Sequence, residues 1–121
     1  MFSIIDRMVI FKRKALEMIE IKKKNENGFQ FLVKSETGKI LLKSVPFSNK
    51  KEVERTLKGL HIANSPLKHF ERKTNFDGKF LFNLKNEDGT VIGSSGLYSS
   101  EAGMENGIKN LKSSFVKTDT F

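Results

Sequence analysis

The chain has no cysteine, which excludes a disulfide framework and a thiolate metal site and suits a reducing cytoplasm. It has two histidines, His61 and His69, eight positions apart, with no third ligand at metal spacing. Both read as surface residues, and no metal or cofactor is expected. No apolar run approaches the roughly 20 residues that a bilayer-spanning helix needs. There is no glycine-rich phosphate loop of the usual form and no nucleophile–base pair in a familiar context, so no catalytic residue is assigned.

What is present is a small, basic chain. Its 121 residues are 37% apolar and 30% charged, enough apolar content for one folded domain and too much for a disordered tail. The net charge of +8 is spread along the chain with a bias to residues 18–66, and Lys22-Lys23-Lys24 is its densest run. Such a balance permits attraction to nucleic acid or acidic surfaces, although solubility alone also accounts for it. Residues 1–17 form an N-terminal extension in which an apolar stretch precedes Lys12-Arg13-Lys14, the reverse of a secretory signal. A short packed helix, a membrane-surface helix or an extension upstream of the true start all remain open there, with Met8 and Met18 as alternative initiators.

The main feature is an internal match at an offset of 51 residues. Phe29, Phe31, Lys34, Glu36, Gly38, Ser44, Ser48, Glu54, Lys58 and Leu60 align without gaps on Phe80, Phe82, Lys85, Glu87, Gly89, Ser95, Ser99, Glu105, Lys109 and Leu111. Glu20 and Lys22 likewise meet Glu71 and Lys73. A period near 50 signals a repeated supersecondary unit. In each copy a strand over 18–24 or 69–74 precedes the alternating Phe29-x-Phe31-x-Val33 or Phe80-x-Phe82-x-Leu84 strand. Glu36-Thr37-Gly38 and Glu87-Asp88-Gly89 then predict hairpins, and Ile40 and Leu42 or Val91 and Ile92 a return strand. A helix follows. Asn49 with Glu52 approximates a capping box, and Ser99 or Ser100 is the corresponding cap. Val53, Leu57 and Leu60, and Met104, Ile108 and Leu111, each form one apolar stripe. Asn64-Ser65-Pro66 reads as a linker, and Phe115, Val116 and Phe121 as a short terminal strand.

The fold class is therefore α+β: a tandem duplication of a β-β-β-α unit, with an antiparallel sheet, two helices on one face and pseudo-twofold symmetry. The repeats span 18–66 and 67–117, form one compact domain and are followed by a tail over 118–121. One unit alone buries too little surface for comfortable stability, and two can share a core, which favours a monomer.

Residues 78–111, GKFLFNLKNEDGTVIGSSGLYSSEAGMENGIKNL, resemble the YegP-like family of small bacterial domains of unknown function. Tyr98-Ser99-Ser100-Glu101-Ala102 and Glu105-Asn106-Gly107-Ile108 carry the likeness, together with the Phe-x-Phe strand and the Asp-Gly hairpin. In the first copy, Arg55-Thr56-Leu57 and Val45-Pro46-Phe47 depart from it. The resemblance implies the β-β-β-α pair, with exchange of terminal strands left open, and it brings no activity and no catalytic residues.

Three features invite a functional reading. The Phe strands echo RNA-recognition strands, but the helix stripes need an apolar partner, which puts the rings in the core. Gln30, Leu32, Lys34, Leu81, Asn83 and Lys85 then face the other way and make the better partner surface. Ser94, Ser95, Ser99 and Ser100 lie at a strand–helix junction, where an anion site competes with plain capping. Asn106-Gly107 places a glycine inside a helix and points to close packing, or to a ligand contact. The leading expectation is a non-catalytic binding or structural module whose partner is a protein or a nucleic acid. Its candidate binding residues are Lys22, Lys23, Lys24, Lys34, Lys39, Lys43, Tyr98, Ser99, Ser100 and Asn106. The alternative is an enzyme with a small site around Tyr98, Ser99 and Asn106. Convergence of the lysines on one face is the test of the nucleic-acid version.

Overall fold

The computed structural model describes residues 19–26, 28–60 and 69–117. The N-terminal extension, His61, the Asn64-Ser65-Pro66 linker, Phe121 and the tail lie outside the described residues. The described elements run β1 (Ile19–Asn25), β2 (Gly28–Lys34), β3 (Ile40–Ser44), α1 (Lys50–Gly59), β4 (Phe70–Thr74), β5 (Phe80–Lys85), β6 (Val91–Ser94) and α2 (Glu101–Lys117). All strand pairs are antiparallel, in the spatial order β1-β2-β3-β6-β5-β4. Each half keeps its own three-stranded meander, so terminal strands are not exchanged between halves, and β3 meets β6 through Lys43↔Ser94 and Ser44↔Gly93.

The hairpins follow from local chemistry. Gly38 and Gly89 take φ of 86° and 85°, the left-handed region that only glycine enters without strain. Asn86 secures the second hairpin by accepting the N–H groups of Asp88 and Thr90 on its side-chain oxygen. Both return strands carry a bulge at the same relative place. Val33 opposes Leu42 and Lys34 opposes Ile40, which leaves Leu41 unpaired; Leu84 opposes Gly93 and Lys85 opposes Val91, which leaves Ile92 unpaired. Through the bulge Leu41 joins Leu42 in the core.

Phe31, Val33, Phe82 and Leu84 are buried against Val53 and Leu57 of α1 and Met104, Ile108 and Leu111 of α2 in one cluster. Both helices therefore lie on the face that holds the Phe-x-Phe rings. Phe31 stacks on Phe47 (centroids 6.3 Å apart) and Phe82 on Tyr98 (6.4 Å). Phe47 and Tyr98 also extend the ladder, pairing through backbone hydrogen bonds with Phe29 and Phe80. Ser44 Oγ accepts the N–H of Phe31, and Ser95 Oγ that of Phe82, so each serine closes a ladder position where its strand leaves the sheet.

The helix caps form as their residues dictate. Asn49 Oδ1 accepts the N–H of Glu52 at 2.9 Å, and Ser100 Oγ that of Gly103 at 3.0 Å. One expectation fails: Phe115 and Val116 continue α2 and form no terminal strand. The helix runs on because no breaker follows Leu111, and Leu111 and Ser114, three apart, both stay buried on its inner side.

Candidate functional site

Directly opposed residues of neighbouring strands share a face, so the register defines the surface that neither helix covers. One row crosses the whole sheet: Glu20, Leu32, Lys43, Ser94, Asn83 and Glu71. Two positions along the strands lie Lys22 opposite Gln30 and Lys73 opposite Leu81; on the other side lie Lys34 and Lys85. The helix-free face, the one that neither described helix covers, thus carries Lys22, Lys34, Lys43, Lys73 and Lys85 against Glu20 and Glu71 among the described residues.

The charges are organised alike at the two edges. Glu20 lies 2.7 Å from Lys34 and 3.6 Å from Lys22; Glu71 lies 2.8 Å from Lys85 and 3.9 Å from Lys73. Hydrogen bonding to Lys34 holds the Glu20 carboxyl below its ordinary value, and bonds from Lys85 and then Asn83 do the same for Glu71. Each edge therefore keeps one positive charge in excess. Exposed Lys43 adds another in the middle and has no carboxylate partner among the described residues.

The neutral polar groups of this face bond to protein. Asn83 donates to Glu71 at 3.0 Å and accepts from Ser94 at 2.6 Å, and Gln30 donates to the carbonyl of Ser44 at 3.2 Å. Leu32 is buried on this face. The described aromatic rings of strands and caps, Phe29, Phe31, Phe47, Phe70, Phe80, Phe82 and Tyr98, belong to the core or pack against it.

Of the six candidate lysines, Lys22, Lys34 and Lys43 converge here, Lys23 and Lys39 do not, and Lys24 falls at a break in the register. Lys23 opposes Phe29 and so points to the helix side. Lys24 sits at the irregularity before the first hairpin, and Lys39 lies over the Tyr98 ring, 5.0 Å from its centroid. Lys73 was missed, and Lys85, which strand alternation places on the partner surface, was not among the candidate lysines. Their signal was present in the offset match, which equates them with Lys22 and Lys34.

The serine, tyrosine and asparagine candidates take separate places. Ser100 caps α2, Ser99 and Asn106 are exposed, and Ser94 belongs to the sheet face. Tyr98 is half-buried against Phe82, and burial raises its phenol above the ordinary value, so the group stays neutral. Gly107 explains itself by space. A β-carbon there would stand 2.2 Å from Tyr98 Oη, so the glycine is what lets the ring lie against α2. A cavity of about 290 Å³ lies elsewhere, between the β2–β3 hairpin and α2, lined by Ser35, Thr37, Lys39, Asn110 and Ser113 among others. Among the described residues no cluster of three or more His, Cys, Asp or Glu is arranged to hold a metal, and no helix is long and apolar enough to cross a membrane.

Among the described residues, a six-stranded antiparallel sheet backed by two helices defines a two-layer α+β protein. The chain belongs to the YegP (UPF0339) family. It is 34% identical to YegP of Escherichia coli K12 over 93 residues, covering 77% of this chain and 84% of that one. It is 30% identical to a UPF0339 protein of Shewanella oneidensis, covering 76% and 84%. A domain of unknown function, DUF1508, matches residues 76–119. The solution structure of E. coli YegP, described as a protein of unknown function, superposes with a TM-score of 0.71 at 33% identity, covering 80% of this chain and 84% of that one.

Proposed function

We propose that this protein is a non-catalytic binding module whose helix-free sheet face engages the phosphates of nucleic acid. The observation that carries the reading is the register: five lysines and two glutamates occupy that face, and the sequence distance between them, from Lys22 to Lys85, is closed only by the sheet. Lysines on one surface attract a polyanion and release its counterions on contact. The core position of the Phe rings removes base stacking from that surface and leaves charge as its means of attraction.

The same reading includes the origin of the face. The chain is a tandem duplication with pseudo-twofold symmetry about the β3–β6 junction, which brings the two Lys–Glu–Lys groups to opposite edges. It acts as a monomer in the cytoplasm, the two units serving each other as partner. Support comes from the offset match, the paired bulges at Leu41 and Ile92, and the equivalent bonds of Ser44 and Ser95.

Fluorescence anisotropy with mixed-sequence DNA and RNA, single- and double-stranded, at about 50 and 200 mM salt tests the function. Micromolar binding that weakens steeply with salt is expected. Absence of binding to every one of these probes at the lower salt would overturn the reading.

A further inference from the structure

We infer that the preferred ligand of the helix-free face is double-stranded DNA, held through both of its phosphate backbones without reading base sequence. This inference rests on the nucleic-acid reading above and narrows it. The first argument is spacing. The Lys22/Lys34 group lies over β1 and β2 and the Lys73/Lys85 group over β4 and β5. At about 4.8 Å per strand the two groups stand about 19 Å apart. That exceeds the roughly 12 Å width of the major groove, so lysine stems leaning inward from the two groups reach phosphates on either side of it. Lys43 stands between them. A single strand must be ordered across the face to reach both groups, whereas a duplex presents two backbones already spaced.

The second argument is symmetry. The strands of a duplex run antiparallel and are related by local twofold axes, which a twofold protein surface matches. The two lysine groups sit at equivalent places in the offset match, either side of the antiparallel β3–β6 pair.

The third argument is what the face withholds. Sequence readout needs free donors and acceptors at base edges, and RNA recognition draws on contacts to the 2′-hydroxyl and on stacked bases. Here Asn83, Ser94 and Gln30 bond to protein groups, and the strand rings point to the core. What remains is chiefly ammonium groups, which hold phosphate without regard to sequence.

Glu20 and Glu71 face the same ligand and oppose it. Their removal therefore supplies a gain-of-function test, which damage to the fold does not imitate. The experiment measures anisotropy of a DNA duplex of about 20 base pairs, the matching single strand and the RNA duplex, across about 50 to 200 mM salt. The three positive charges in excess on the face give a slope of log K against log salt near about −2.7, roughly a 40-fold loss over that range. The double variants Lys22→Ala/Lys34→Ala and Lys73→Ala/Lys85→Ala are each expected to reduce the slope by about 2, and Glu20→Gln/Glu71→Gln to tighten duplex binding. A single strand or an RNA duplex bound as tightly as the DNA duplex would overturn the assignment of ligand while leaving the lysine face as a nucleic-acid site. Folded Glu20→Gln/Glu71→Gln protein that binds no better than the parent would also overturn it. No binding of any probe would remove both readings.

Discussion

Gly107 and Gly93 are the positions where a single methyl group decides most. At Gly107 the added carbon meets the Tyr98 hydroxyl, and Tyr98 is backed by Phe82 and has little room to retreat. Gly107→Ala is expected to cost about 1–3 kcal/mol by overpacking, read from urea denaturation midpoints. At Gly93 the carbon would stand 2.7 Å from the carbonyl oxygen of Lys43 and 3.1 Å from Leu42 Cγ. Backbone yields less readily than a side chain, so Gly93→Ala should cost more than Gly107→Ala in the same assay; an equal or smaller loss would contradict the packing described at the β3–β6 junction. Gly93 also shows what sequence comparison conveys and withholds. The offset match pairs it with Leu42, a mismatch that looks like drift. In the sheet, Leu42 leans over Gly93 and one position must give way. The capping residues were easier to read because their bonds are local: Asn49 reaches Glu52, three residues on. Ser44 and Ser95 stood out as an identity, but each bonds a backbone N–H 13 positions away, which no local pattern announces.

Among the elements, β4 is tied to α2 by Arg72, whose guanidinium forms a two-point ion pair with Glu105. Arg72 holds the Glu105 carboxyl below its ordinary value, and Glu105 raises the guanidinium further. The pair is partly exposed and screened by solvent, so Arg72→Ala should cost only about 0.2–1 kcal/mol by denaturation. Glu20, Glu71 and Glu105 share the same pH behaviour. A carboxyl whose folded pKa is depressed contributes stability that is complete above its unfolded value, near about 4.3, and is lost as the pH falls through the folded value. The thermal midpoint should therefore fall as the pH drops from about 5 through the depressed folded values of these carboxyls, and a Glu20→Gln/Glu71→Gln/Glu105→Gln protein should show a flatter acid limb by differential scanning calorimetry. The strands and helices themselves were largely legible, because alternation in Phe29–Val33 and the i, i+4, i+7 stripe of Val53, Leu57 and Leu60 are local periodicities. The terminal strand was misread because Phe115 and Val116 look like strand residues by propensity, while the inward spacing of Leu111 and Ser114 carries the helix past them.

For the whole molecule, stability and surface both depend on joining the halves. One core cluster takes residues from all six strands and both helices, so neither half holds a complete core. A chain of residues 67–121 alone is expected to show no cooperative thermal transition by circular dichroism; a sharp transition would contradict the shared core. The candidate face was half legible for the same reason. Lys22, Lys34 and Lys43 were found as part of a basic bias, and Lys23, Lys24 and Lys39 were grouped with them by proximity in sequence. Strand alternation separates Lys22 from Lys23, and the β3–β6 junction brings Lys73 and Lys85 onto the surface of Lys34 and Lys43. Charge counted along a chain is blind to both operations.

The most direct measurement is a map of amide chemical-shift changes by two-dimensional NMR as a DNA duplex of about 20 base pairs is added. The account predicts that the largest changes fall on Lys22, Leu32, Lys34, Lys43, Lys73, Asn83 and Lys85. Changes confined to α1 and α2, around the Tyr98 side of the molecule, or to the β2–β3 hairpin beside the cavity would contradict it.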